Sequence, residues 1–223
     1  MISNRLKAIG DLVPKGSVVC DIGCDHALLP VYLLEEGIAS FAIAMDVGEG
    51  PLSSARANIT EHGLLDKVEL RLSDGFSALK PRECNCAVLA GMGGLLMKDI
   101  LIRGKSVWES LDLLILSPHR DEAVIREYMG GFCEFSYDLF LKDGKEFYTI
   151  MCFLPKKPPI PLSRENILFG INPSREYLEY RLNLNKNILN SLNNAPKKRD
   201  IIEKENSIKA ESLMISELMD RLV

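Results

Sequence analysis

No Cys-x-x-Cys pair occurs among the six cysteines, at 20, 24, 84, 86, 133 and 152, and the three histidines lie far from any matching cysteine pair. A zinc site is therefore unsupported, and buried free thiols are the expectation. No run of 18 apolar residues exists, which excludes a membrane-spanning helix. The first residues, MISNRLKAIGDLVP, lack the apolar core of a signal peptide, so a cytoplasmic location is expected. Two glycines are also missing. In CDIGCDHALLP (20–30) an apolar run leads into Asp21-Ile22-Gly23, as a nucleotide-binding loop would begin. The second and third glycines of the dinucleotide fingerprint are absent, and Asp25 and His26 follow instead.

What is present suits one sheet domain with a small appendage. The 223 residues are 47% hydrophobic, enough for a full core. Apolar runs predict strands near 17–22, 40–46, 67–72, 85–90 and 111–117. Helical patterns are predicted near 29–36, 51–62, 94–103 and 121–130. Pro51 fits a helix first turn, and Leu52, Ala55 and Ile59 share one apolar face. The alternation predicts an α/β fold with a mainly parallel sheet covered on both sides. Two further strands, FCEFSYDLFL and EFYTIMCFLP, flank Lys142-Asp143-Gly144-Lys145, where Asp-Gly signals an antiparallel hairpin. A parallel sheet ending in such a hairpin is the outline of a Rossmann-like class I methyltransferase domain.

PKKPPIPLS (155–163) reads as a linker, giving domains at 1–155 and 156–223. Beyond it Ser174 is a candidate N-cap. Leu178, Leu182, Leu189 and Leu192 form one stripe, and Ile201, Ile208, Ile215, Met219 and Leu222 another. These predict a small α-helical hairpin with Asn185, Glu205 and Ser212 at its seam. Residues 1–154 carry 15 Lys+Arg against 22 Asp+Glu, a net of −7, while residues 155–223 carry 12 against 9, a net of +3. A basic appendage on an acidic domain hints at a polyanionic partner.

In an open α/β sheet, ligands bind beyond the carboxyl ends of the strands. A dinucleotide would bring its pyrophosphate against Asp25. S-adenosylmethionine instead carries a sulfonium and an ammonium, both positive. Opposite unit charges ~4 Å apart attract by about 4 kcal/mol at an effective dielectric near 20. Asp46 lies 23 residues past Gly23, where an acidic side chain grips a ribose diol. Asp74-Gly75 ends the third strand and can meet an adenine. Gly91-Met92-Gly93-Gly94 ends the fourth, where glycines let backbone approach a planar ligand but supply no general base.

DIGCDHALLP, FAIAMDVGEGPLSSA, LSDG and AGMGG together resemble the bacterial tRNA adenine-22 N1-methyltransferases over residues 4–154, and weakly over the C-terminal helices. The resemblance implies a Rossmann-like domain joined to a helical hairpin, S-adenosyl-L-methionine as cofactor and tRNA as partner. It implies cofactor contacts from Asp21, Gly23, Asp25, His26, Asp46, Val47, Ser73, Asp74, Gly75, Ala90 and Gly91. Asp25 and Met92 are implied at the target, where Asp25 or a backbone carbonyl of the 90–94 turn could stabilise a cationic product, and His119, by its own chemistry, could hold the base edge. Arg5 also matches the family pattern and can pair a carboxylate or a phosphate. The hairpin cations Lys156, Lys157, Lys186, Lys197, Lys198 and Arg199 are the candidate tRNA contacts. Two departures stand out. Leu116-Ser117-Pro118-His119 replaces Leu-Gln-Pro-Asn, and Leu28 stands where an aromatic is usual.

N1 of neutral adenine has a free in-plane lone pair, so direct attack on the methyl needs positioning and no dedicated base. N1 also pairs in duplexes, so the target must be unpaired or pulled from its stack. Rival readings are a methyltransferase for a protein or small molecule, and a non-catalytic protein that binds tRNA and S-adenosylmethionine. An NAD-binding protein is disfavoured by Asp25 and the missing glycines.

Overall fold

The computed structural model describes residues 2–193 and 199–222. These fall into two compact units, Met1–Leu168 and Phe169–Val223. In the first, five parallel strands run β1 (Ser17–Ile22), β2 (Ala39–Asp46), β3 (Val68–Leu72), β4 (Cys86–Ala90) and β5 (Leu113–Ser117). A long hairpin, β6 (Glu134–Asp143) and β7 (Glu146–Leu154), completes a seven-stranded sheet of order β3-β2-β1-β4-β5-β7-β6. β7 enters antiparallel beside β5, pairing Ile115 with Cys152. The chain starts at the centre, winds out to β3 and returns to β4, so strand order switches between β1 and β4. A ligand crevice belongs at that switch.

The expected strands all form, with boundaries within two residues of the sequence reading. The hairpin turn differs by one residue. Asp143 still pairs with Glu146, so the two-residue turn is Gly144-Lys145, with Gly144 at φ +65°. A tight hairpin needs a left-handed residue at its first central position, and Gly144 supplies it without strain.

Helices α1 (Asn4–Gly10), α2 (Leu28–Glu35), α3 (Glu49–Glu61), α4 (Gly94–Arg103), α5 (Lys105–Trp108) and α6 (Glu122–Gly130) cover the sheet. α1 was not anticipated. Ser3 caps it by accepting the Leu6 amide proton at 3.3 Å. Ile9, Leu33, Ile43 and Ile59 are fully buried, each worth roughly 1.5–3 kcal/mol of transfer free energy. All six cysteines are buried and unpaired. Arg126 is fully buried too, donating to the carbonyls of Ile167 (3.3 Å) and Leu168 (3.2 Å) in the short helix α7 (Arg164–Phe169), with the Asp138 carboxylate 3.8 Å away.

The second unit contains α8 (Arg175–Asn193) and α9 (Arg199–Arg221), the anticipated helical hairpin. Ser174 caps α8 through the Tyr177 amide at 3.2 Å. Leu178 and Ile215 are fully buried, but the seam is partly polar. The Asn185 amide donates to Ser212 and Glu211, each at 3.3 Å, and Arg181 pairs with Glu211 at 2.7 Å. Among the described residues no helix is long and apolar enough to cross a membrane.

Candidate active site

A cavity of about 490 Å³ opens at the carboxyl ends of β1, β2 and β4, within the range of small-molecule sites. It brings together Asp21, Gly23, Asp25, His26, Asp46, Ala90 and Gly91 with Arg5 and His119, and Leu6, Cys24, Leu28 and Leu29 complete the lining.

Backbone hydrogen bonds build its floor. The amides of Gly23 and Cys24 both donate to the Met45 carbonyl, at 2.8 and 2.9 Å. The loop then passes through left-handed conformations at Asp25 (φ 48°) and Ala27 (φ 54°). Such conformations are uncommon outside glycine, and strained residues of this kind cluster at functional sites. The Asp25 carboxylate does not cap α2, whose N-cap residue is Ala27 and carries no side-chain cap bond. It is 73% exposed and lies 3.6 Å from the His26 ring.

Asp46 ties two loops together. One oxygen accepts from the Gly48 amide at 3.0 Å and the other from the Asp25 amide at 3.3 Å. A carboxylate offers about four acceptor sites, so capacity for ligand hydroxyls remains. Asp21 is 6% exposed, and burial together with the nearby Asp46 charge pushes its carboxyl up to about 7. The floor of the cavity thus holds an acid poised to ionise when a cation arrives.

Gly91, His119 and Arg5 also line the cavity, and Tyr148 packs against the last two. The Gly91 amide donates to the Ser117 carbonyl at 3.1 Å, and the His119 amide to the Met92 carbonyl at 3.0 Å, locking the 90–94 turn to the segment after β5. Gly94 serves that junction. A Cβ there would sit 2.6 Å from the Asp121 carbonyl oxygen and 2.8 Å from that of Arg120. This glycine therefore admits another backbone segment, where the sequence suggested a planar ligand. The Arg5 guanidinium lies over the Tyr148 ring, 5.1 Å from its centroid, and its Nη1 is buried without a hydrogen-bond partner. The His119 ring meets Tyr148 edge-on at 6.0 Å. Burial and the Arg5 charge push the imidazole pKa down, while a hydrogen bond to the Gly91 backbone opposes them.

Other expected residues lie outside the cavity lining. The Met92 methyl lies where a Cβ on Gly23 would be 3.2 Å away. Val47 is 73% exposed at the rim. The buried Ser73 hydroxyl is committed to its own turn, donating to the Gly75 carbonyl at 2.8 Å and accepting from the Ala78 amide at 3.1 Å. Gly75 packs on Ile100, so close that a Cβ would come within 2.6 Å. Asp74 is held bidentate by Arg103, at 2.5 and 3.1 Å, and lines a separate cleft with Phe76. That ion pair holds its carboxyl below the usual range. The Arg103 partner, 29 residues on, and Tyr148 on the returning strand had no sequence signal beyond their residue types.

The candidate RNA contacts also scatter. Lys156 pairs with Asp112 at 2.6 Å and Lys157 with Glu134 at 3.7 Å. Lys156 shares a cleft with Gly16 and Asn85, which precede β1 and β4, so it sits at the opposite end of the strands from the cavity. Lys186 lies on α8 beside Leu189 and Asn190. Arg199 pairs with Glu203 at 2.9 Å while remaining 93% exposed. Lys197 and Lys198 lie outside the described residues.

Residues 2–151 match the family model described as "Methyltransferase domain". A Bacillus subtilis tRNA (adenine(22)-N(1))-methyltransferase is 38% identical over 128 residues, 57% of this chain. That match spans 54% of the length of the Bacillus protein. The crystal structure of the B. subtilis m1A22 tRNA methyltransferase superposes with a TM-score of 0.84 at 26% identity, covering 98% of this chain and 99% of that one. A Streptococcus pneumoniae protein solved in complex with S-adenosyl-L-methionine is 30% identical, with a TM-score of 0.81, over 95% of this chain and all of the other.

Proposed function

We propose that this chain, which belongs to the bacterial tRNA (adenine-22-N1)-methyltransferase family of class I methyltransferases, binds S-adenosylmethionine in the β1–β2–β4 cavity and methylates N1 of adenine 22 in tRNA. The observation that carries the cofactor assignment is Asp21, a buried carboxyl pushed up to about 7 at the floor of a cavity that Asp25 and Asp46 also line. Such a site fits a ligand with positive groups and repels a pyrophosphate. When bound, S-adenosylmethionine supplies an electrophilic methyl on a sulfonium. Asp21 and Asp25 meet its two cationic groups, and Asp46 accepts from ribose hydroxyls with the lone pairs that its backbone partners leave free. The separate Asp74 cleft and the exposed Val47 are candidates for the adenine end of the cofactor.

The chain needs no general base, because the adenine N1 lone pair is already free. Its task is to hold an extruded base in line and to accommodate the positive charge that forms. Asp25, exposed on the rim, stands where a carboxylate can face that charge. Arg5, which lines the cavity with its guanidinium over Tyr148, is the cation that we assign to a phosphate of the extruded nucleotide. Lys186 and Arg199 are the described hairpin cations that we assign to backbone phosphates. Nucleoside mass spectrometry of tRNA incubated with the protein and methyl-labelled cofactor tests the reading. N1-methyladenosine at position 22 is expected. Label in protein or metabolites and none in tRNA would overturn it.

A further inference from the structure

We propose that His119 recognises the exocyclic amino group of the target adenine as a hydrogen-bond acceptor, and strengthens that contact as the methyl is transferred. This rests on the adenine-N1 reading above. The imidazole lines the cavity, its edge against Tyr148 at 6.0 Å and its backbone fixed to the Met92 carbonyl at 3.0 Å. A Cβ on Gly91 would lie 3.5 Å from Arg5 Nη2 and 3.8 Å from His119 Nε2, so guanidinium and imidazole flank one backbone carbon. Burial disfavours a second proton on the ring, and a fixed cation so close adds to this. The Gly91 amide is already given to the Ser117 carbonyl at 3.1 Å, so in the bond between the ring and the Gly91 backbone the imidazole donates and the Gly91 carbonyl accepts. A neutral imidazole with its one N–H committed presents its other ring nitrogen as an acceptor.

On the Watson–Crick edge of adenine, the amino group beside N1 is a donor. An acceptor opposite it both selects the base and aligns N1. In the reaction the N1 lone pair forms the new N–CH₃ bond while the S–CH₃ bond breaks, its electron pair returning to sulfur. No proton leaves, and the positive charge passes to the adenine, where it spreads onto the amino nitrogen. The hydrogen bond to His119 therefore becomes charge-assisted in the transition state, which makes it a catalytic interaction as well as a selective one.

The test uses the full chain, saturating cofactor and tRNA transcripts whose target adenine is replaced by unsubstituted purine, which keeps N1 and lacks the amino group. The quantity read is the ratio of kcat on adenine to kcat on purine. We expect wild type to exceed His119→Phe in this ratio by at least roughly tenfold, the loss expected for one charge-assisted bond. His119→Asn, whose amide oxygen can accept, should restore much of it. His119→Ala serves as the second variant if His119→Phe does not fold, with cofactor calorimetry reporting folding. An equal ratio in wild type and both variants, with normal methylation of native tRNA, would overturn the role of His119 alone. Absence of N1-methyladenosine from wild type on native tRNA would overturn the functional reading and this inference together.

Discussion

Asp21→Asn should make the empty protein more stable near neutral pH while weakening its cofactor affinity. In the fold the Asp21 carboxyl is raised from its ordinary 3.8 to about 7, first by burial and then by the Asp46 charge. Between those values the folded protein holds a proton that the unfolded chain has released. Stability from this group is therefore present at low pH and is lost as pH rises through about 7. The interval from 3.8 to about 7, at about 1.4 kcal/mol per pH unit, amounts to about 4 kcal/mol. Asparagine does not ionise, so the variant escapes that loss. Urea unfolding without ligand, repeated from pH 4.5 to 8, should show the variant gaining on wild type by about 3 kcal/mol up to about pH 7 and levelling off beyond it. Calorimetry at pH 8 should show its S-adenosylmethionine binding weakened at least tenfold, since a buried charge-assisted contact is worth about 1.5–3 kcal/mol. A stability difference that stays constant across this pH range would refute the reasoning, as would unimpaired binding.

Three further outcomes follow from the geometry. Asp46→Ala removes the acceptor shared by the Gly48 and Asp25 amides, so it should lower both cofactor affinity and stability, the latter by about 1–3 kcal/mol, whereas Asp46→Asn should retain much of the stability; calorimetry and urea midpoints separate the two. Gly94→Ala places a methyl against the carbonyls of Arg120 and Asp121, so unfolding should show a loss of roughly 1–3 kcal/mol, and an unchanged midpoint would mean that the two segments separate freely. Replacing Lys186 and Arg199 together by Gln should reduce the slope of log affinity for tRNA against log salt by about 1–2, measured by filter binding, while cofactor binding stays unchanged.

The central strands were legible because β1, β2, β4 and β5 are short, mainly apolar runs, and a sheet covered on both faces requires that pattern, whereas the edge strand β3, VELRL, alternates apolar and charged residues. The acidic residues at the ends of β1 and β2 were legible by their spacing, and the cavity gathers them. The end of β3 was not. Asp74 follows its strand as expected, but its partner Arg103 stands on α4, and no local pattern encodes a contact 29 residues away. Ser73 and Gly75 illustrate the same limit, since a hydroxyl and a glycine suited to a ligand serve equally well to close a turn. Gly94 likewise satisfies a neighbouring backbone. Tyr148 reaches Arg5 and His119 only because β7 runs back beside β5, a consequence of topology. Lys156 shows the converse: its charge was evident, but strand direction places it at the far end of the sheet.

The grip of Arg126 on the carbonyls of Ile167 and Leu168 bears on where the protein can be cut. The prolines between 155 and 163 look like a natural place to stop, and a chain ending there would still contain every strand. It would also strand a fully buried guanidinium beside Asp138 with two of its acceptors gone. Proteases given the native protein should therefore leave a fragment that keeps residues up to 168, and recombinant versions of the sheet unit should be designed to the same end point.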